Sequence, residues 1–217
     1  MALFGPRLPD QSDEDLVRRL ARGQSVAFDE LYRRYHDRLL HYFRRMLGRD
    51  HEKARDFLQD LFLKLIERPE RFSPDGCFRT WVFAVAHNMC CNEYRRAAVR
   101  RDAPVQPQPA PTSPPPGEGL EQREFRRALE GQLLRLDQIK RSTFLLRYQE
   151  ELSLQQIAQV MGCAVGTVKS RLFYAAKELA NELDEYRPAS TAPAPTAQIP
   201  PPETERPQHT QRVYCNG

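Results

Sequence analysis

Through the first hundred positions, apolar residues recur at threes and fours, the spacing that lines one face of a helix. Phe28, Leu31, Tyr32, Tyr35, Leu39, Leu40, Phe43 and Leu47 trace a long amphipathic helix ending at Gly48. Ahead of it, Ser12 is placed to cap a helix whose first turn holds Asp13, Glu14 and Asp15, where carboxylates suit the positive end of the helix dipole. From Ala54 to Glu67 the pattern turns Phe57, Leu58, Leu61, Phe62, Leu65 and Ile66 inward and leaves Asp56, Gln59 and Asp60 outside, with Pro69 as a stop. A further helical stretch, Phe78 to Arg101, mixes Phe78, Trp81, Phe83 and Tyr94 with Arg79, Arg95, Arg96, Arg100, Arg101 and the amides Asn88 and Asn92.

The second half carries the sharper pattern. Phe125, Leu129, Leu133 and Leu136 predict one helix, and Phe144, Leu145 and Tyr148 another. From Ser153 to Leu179 (SLQQIAQVMGCAVGTVKSRLFYAAKEL) two short helices are joined by a tight turn. Ser153 and Gln156 have capping-box spacing. Leu154, Ile157, Ala158 and Met161 share a face, and Gly162 suits the left-handed end of a helix. Val165, Val168, Leu172, Ala175 and Leu179 then form an inward stripe. Opposite it lie Thr167, Ser170, Arg171, Tyr174 and Lys177, with Lys169 beside them, the hydroxyls, cations and aromatic that suit phosphates and base edges. A small residue at Ala158, glycine at the turn and β-branched Val168 meet the steric needs of a helix-turn-helix. The two helices alone bury too little to fold, so the preceding pair is expected to pack against them.

Proline divides the chain. Of 18 prolines, seven lie between Pro104 and Pro116 and seven between Pro188 and Pro207; lacking an amide donor, they exclude helix and central strand there. The expected organisation is therefore all-α: a helical domain over 12–101, a flexible linker over 102–120, a helix-turn-helix domain over 121–186 and a disordered tail over 187–217. A net charge of +4 permits nucleic-acid binding without arguing for it. No apolar run has membrane-spanning length and the start lacks a signal-peptide core, so a cytoplasmic location is expected. Five cysteines without C-x-x-C spacing fit neither a disulfide framework nor a standard zinc site. His87, Cys90 and Cys91 form one cluster reminiscent of metal ligands, but small buried thiols explain it more simply, and no metal or cofactor is expected. Interleaved aromatics and arginines suit unpaired bases. Trp81, Phe83 and Val85 read better as core, whereas the Arg95–Arg96 and Arg100–Arg101 pairs read equally as backbone contacts or as a solvated helix end.

With both halves placed, the chain resembles bacterial sigma factors of the extracytoplasmic-function type. AFDELYRRYHDRLLHYFRRMLG, ARDFLQDLFLKLIE and FRTWVFAVAHNMCCNEYRR are similar to sigma region two, and RSTFLLRYQEELSLQQIAQVMGCAVGTVKSRL to region four. GTVKSRL alone occurs in other bacterial regulators; following D-x-x-Q-D-x-F and F-R-T-W-V…A-H-N in this order, it is specific. The resemblance implies that Asp56, Gln59 and Asp60, with Phe62 in support, meet the clamp helices of core RNA polymerase. It implies that Asn88, Asn92, Tyr94, Arg95 and Arg96 lie near the melted strand of the minus-ten element, and that Thr167, Lys169, Ser170, Arg171, Tyr174 and Lys177 face the minus-thirty-five element. Asn92 replaces the family's usual aspartate, Ala164 a capping hydroxyl and Asp137 a common proline. The implied function is promoter-specific initiation without enzymatic activity, by a protein monomeric on polymerase, with promoter DNA, polymerase and an anti-sigma protein as partners. A free-standing helix-turn-helix repressor or activator, and a thiol or metal sensor built on His87, Cys90 and Cys91, are the competing readings.

Overall fold

A computed structural model describes residues 8–48, 50–69, 72, 76–100 and 119–186. The expected linker lies outside the described residues apart from Gly119 and Leu120, as does the expected tail at 187–217. Eight α-helices are present among the described residues: α1 Asp13–Ala21, α2 Ser25–Met46, α3 His51–Glu67, α4 Phe78–Arg100, α5 Leu120–Arg135, α6 Gln138–Tyr148, α7 Leu154–Met161 and α8 Val165–Glu182. The central element is α2, which packs against α1, α3, α4, α5 and α6. Its Leu31, Leu39, Tyr42, Phe43 and Met46 are completely buried. Tyr42 lies off the stripe expected from the sequence because α2 is covered on more than one side.

Helix ends follow local chemistry. The Ser12 side chain accepts from the Asp15 amide and Asp50 caps α3 by accepting from Lys53. Asp137, in place of proline, caps α6 by accepting from the amides of Ile139 and Lys140 at 2.9 and 3.0 Å. The α7 capping box closes in both directions, with Gln156 N–H donating to Ser153 Oγ and Ser153 N–H donating to Gln156 Oε1. Gly162 ends that helix at φ 59°. Ala164 starts α8 with no side-chain acceptor, as its chemistry requires. The amide that opens α4 is satisfied from a distance, Phe78 N–H donating to Glu14 Oε1 on α1 at 3.0 Å.

The ordered front begins earlier than the expected residue 12. A 3₁₀ turn at Leu8–Asp10 is held to α2 by Arg34, which donates to the carbonyls of Leu8 (3.2 Å), Pro9 (2.9 Å) and Gln11 (3.0 Å) and pairs with Asp13 at 2.6 Å. Glu30 pairs with Arg33 and Arg34, and its carboxyl is held down to about 2 chiefly by the hydrogen bond from Arg33. As expected, α6 and α5 pack on α8; α7, which was expected to belong to a separate domain, also packs on α4, so both halves lie within one compact unit. Ile66, expected inward, is 46% exposed, because Leu58, Leu61, Phe62 and Leu65 already fill the inner face of α3.

Beneath this packing lies Arg141, 7% exposed. Its guanidinium donates to Leu133 O (2.8 Å), Leu134 O (2.5 Å), Leu136 O (3.0 Å), Met46 O (3.0 Å) and Tyr94 Oη (2.9 Å). Helix C-termini leave such carbonyls without intrahelical partners, and one fork of donors satisfies those ending α2 and α5.

Two outcomes follow for stability. Ala164→Ser supplies the missing cap and should raise unfolding free energy by about 1 kcal/mol, read by thermal or urea denaturation. Arg141→Lys keeps the charge but has three donors for five acceptors, and should cost roughly 2–6 kcal/mol at about 1–3 kcal/mol for each of the two groups left over.

Candidate polymerase and nucleic-acid interfaces

Three sets of side chains are brought to three surfaces. On α3, Asp56, Gln59 and Asp60 are exposed, at the helical spacing that puts them on one face. Phe62 is 4% exposed and packs its ring against Tyr32 and Phe28 at 4.8 and 5.7 Å. It therefore supports the face from beneath and is not itself a surface contact. Beside the acidic face, α2 and α3 enclose an open groove of about 560 Å³ lined by Tyr32, His36, Gln59, Phe62, Leu63 and Ile66. Leu63 and Ile66 are 45% and 46% exposed. The sequence signal for Leu63 was its position one step outside an already filled apolar stripe; Ile66 is explained only by the packing.

On α4, Asn88, Asn92, Arg95 and Arg96 are exposed along one face. Tyr94 points elsewhere. Its hydroxyl donates to Met46 O and accepts from Arg141. Glu93, which the sequence did not single out, pairs with Lys53 at 2.5 Å and Arg100 at 3.0 Å, and the Lys53 contact chiefly lowers its carboxyl pKa. Trp81 stacks on Phe78 at 5.7 Å, and Phe83 is fully buried. Phe83 belongs to the core, and Trp81, half-buried, packs against it.

On α8, Thr167, Lys169, Tyr174 and Lys177 are exposed and Ser170 and Arg171 half-buried. Ser170 Oγ donates back to Gly166 O at 3.2 Å, and Arg171 reaches Cys163 Sγ at 3.4 Å. Phe173, 45% exposed with its ring 5.4 Å from Tyr174, adds an aromatic that the inward stripe did not include. The α3 face is acidic and the α8 face basic, so they suit different partners.

His87, Cys90 and Cys91 are buried where the halves meet. Cys91 Sγ lies 3.4 Å from His87 Nε2, and burial raises the pKa of both thiols, which disfavours the thiolate that binds metal. No group of three or more His, Cys, Asp or Glu side chains able to hold a metal occurs among the described residues. No helix among them is long and apolar enough to cross a membrane.

A helix-turn-helix whose second helix exposes a basic face, joined to a helical bundle with an acidic face, is the arrangement of a DNA-binding protein. Residues 31–100 match Sigma-70 region 2 and residues 126–179 match Sigma-70, region 4. The ECF RNA polymerase sigma factor SigM of Mycobacterium tuberculosis is 32% identical over 180 residues, spanning 83% of this chain and 88% of SigM. The RNA polymerase sigma-H factor of Pseudomonas aeruginosa is 30% identical over 178 residues, spanning 77% and 92%. CnrH, solved with the cytosolic domain of CnrY, superposes with a TM-score of 0.61 at 25% identity, over 81% of this chain and 99% of that one. RpoE of Bartonella quintana, solved with the anti-sigma factor NepR, shares the fold at a TM-score of 0.60 and 24% identity, over 74% and 98%. The chain belongs to the sigma-70 family and is a sigma factor of the ECF group.

The junction of the halves has a pH signature. Desolvation, then the nearby Arg171, depress His87 to about 4 from an ordinary 6.5. His87 also faces Cys91 and Ser142, and Ser142 in turn bonds Tyr42. Between those values the unfolded chain binds the proton more tightly, so stability is full above pH 6.5 and is lost as pH falls towards 4. The loss should reach about 3 kcal/mol at ~1.4 kcal/mol per unit. Urea midpoints across this range should fall less steeply for His87→Gln. His41, depressed by burial and Arg45, adds the same sign to both proteins and cancels in the comparison.

Proposed function

We propose that this sigma factor docks on core RNA polymerase through Asp56, Gln59 and Asp60 and the adjoining apolar groove, reads duplex upstream DNA with α8, and holds the melted downstream strand along α4. The observation that carries this reading is the separation of an acidic and apolar α3 surface from the basic α8 face within one chain. The clamp helices meet the first; phosphates and base edges meet Thr167, Lys169, Ser170, Arg171, Tyr174 and Lys177. Asn88, Asn92, Arg95 and Arg96 offer amides and cations to unpaired nucleotides, and Tyr94 joins them once released from Met46 and Arg141. Trapping unpaired bases offsets part of the stacking energy lost on melting. The protein acts in the cytoplasm, as one copy per polymerase, and carries out no chemical step itself. An anti-sigma protein is its expected restraint, the partner class seen with the Bartonella factor.

The test is transcription with purified core enzyme, with start sites mapped by sequencing run-off products; absence of promoter-specific initiation overturns the reading. In the same system Asp60→Lys should weaken association with core while leaving binding to the mapped upstream duplex intact. Lys169→Ala should weaken that duplex binding and lower its salt slope by about 1.

A further inference from the structure

In the sequence of α4, Glu93 is the only carboxylate, set on the half of the helix that carries Asn88, Asn92, Arg95, Arg96 and Arg100. Spacings of three and four place Glu93, Arg96 and Arg100 along one edge of the helix, bordering the exposed amide and arginine face. An open anion there would repel a nucleic-acid backbone. Glu93 is not open: its side chain is 12% exposed, and its Oε1 accepts from Lys53 Nζ on α3 at 2.5 Å and from Arg100 Nη2 at 3.0 Å. The two cations stay accessible to water, at 33% and 51% exposed, so the carboxylate is the most buried of the three.

A lysine and an arginine converging on one oxygen is how these side chains hold a phosphate oxygen of a strand. A brace between α3 and α4 is a poorer account of the trio. At this level α4 is already fastened by Tyr94, which reaches Met46 O and Arg141, and ion pairs open to water stabilise a fold only weakly. What the contact does achieve is to neutralise two cations beside the surface that faces the strand. A carboxylate competing for them weakens every backbone contact alike, whatever the sequence, because phosphates carry no sequence information.

We propose that Lys53 of α3 and Arg100 of α4, with Arg96 beside them, form a backbone-phosphate site that continues the nucleic-acid surface from α4 onto α3, and that Glu93 fills this site in place of phosphate until a strand displaces it. The inference rests on the reading above that α4 holds the melted downstream strand. It adds an α3 residue to that surface and gives Glu93 the role of setting its affinity.

The test uses holoenzyme assembled from core polymerase and the full chain, bound to fork DNA. The unpaired strand carries either the downstream element of a mapped start site or a scrambled sequence. Fluorescence anisotropy across a salt series reads affinity and salt slope. Glu93→Gln should tighten binding to both strands by the same factor, roughly two- to fivefold, and steepen the slope by about 0.7 for each phosphate gained. Adding Lys53→Ala should remove that gain, and a neutral methylphosphonate moved along the unpaired strand should cancel it at one or two positions only. The site is overturned if Glu93→Gln binds no tighter, if it tightens one strand and not the other, or if its gain survives Lys53→Ala. Should Glu93→Gln lose its circular-dichroism helix signal, Lys53→Ala alone decides: it should weaken both strands and flatten the slope, and indifference overturns the site. Holoenzyme that never distinguishes the element from the scrambled strand sinks the α4 reading and the site with it. Discrimination that persists alongside indifference to Glu93 and Lys53 sinks the site alone.

Discussion

The fold depends on one buried guanidinium. Arg141 directs its donors at the carbonyls ending α2 and α5 and at a phenol on α4. A positive charge there is stabilised by the negative ends of two helix dipoles as well as by the hydrogen bonds. Because the acceptors come from different helices, the residue sets the angle at which α5 leaves the body and the position at which α6 begins. Asp137 fixes that beginning from the other side by capping α6. The two side chains, four positions apart, thus define how the second half is presented.

Much of the architecture was readable in the sequence, for local reasons. Ser12, Ser153 with Gln156, and Gly162 announce helix ends because caps are satisfied within three or four residues. Val168 and Ala175 could be placed in the interior because a helix repeats its faces every turn. The exposed runs at Asp56, Gln59 and Asp60 and at Thr167, Lys169 and Lys177 follow from the same periodicity.

What was not readable depends on distant partners. Nothing near Ser142 or Glu150 signals burial, since their partners Tyr42 and Arg38 lie 100 and 112 residues away. Arg141 looks like any cation in a helix until the carbonyls around it are located. Tyr94 shows the limit most clearly: its neighbours in sequence are exposed arginines, yet its ring turns inward to Met46. Leu63 and Ile66 were misjudged or passed over because α3 is broader in apolar content than its inner face can hold, and the excess forms one wall of the groove.

The strap at the amino end carries a practical consequence. Arg34 collects main-chain oxygens from Leu8, Pro9 and Gln11, so the folded body starts before the first regular helix. A fragment trimmed at Ser12, the boundary that capping alone suggests, would strip that guanidinium of three ligands and leave it facing Asp13 and Glu30 only. Isolating the front bundle for study therefore calls for a cut upstream of Leu8.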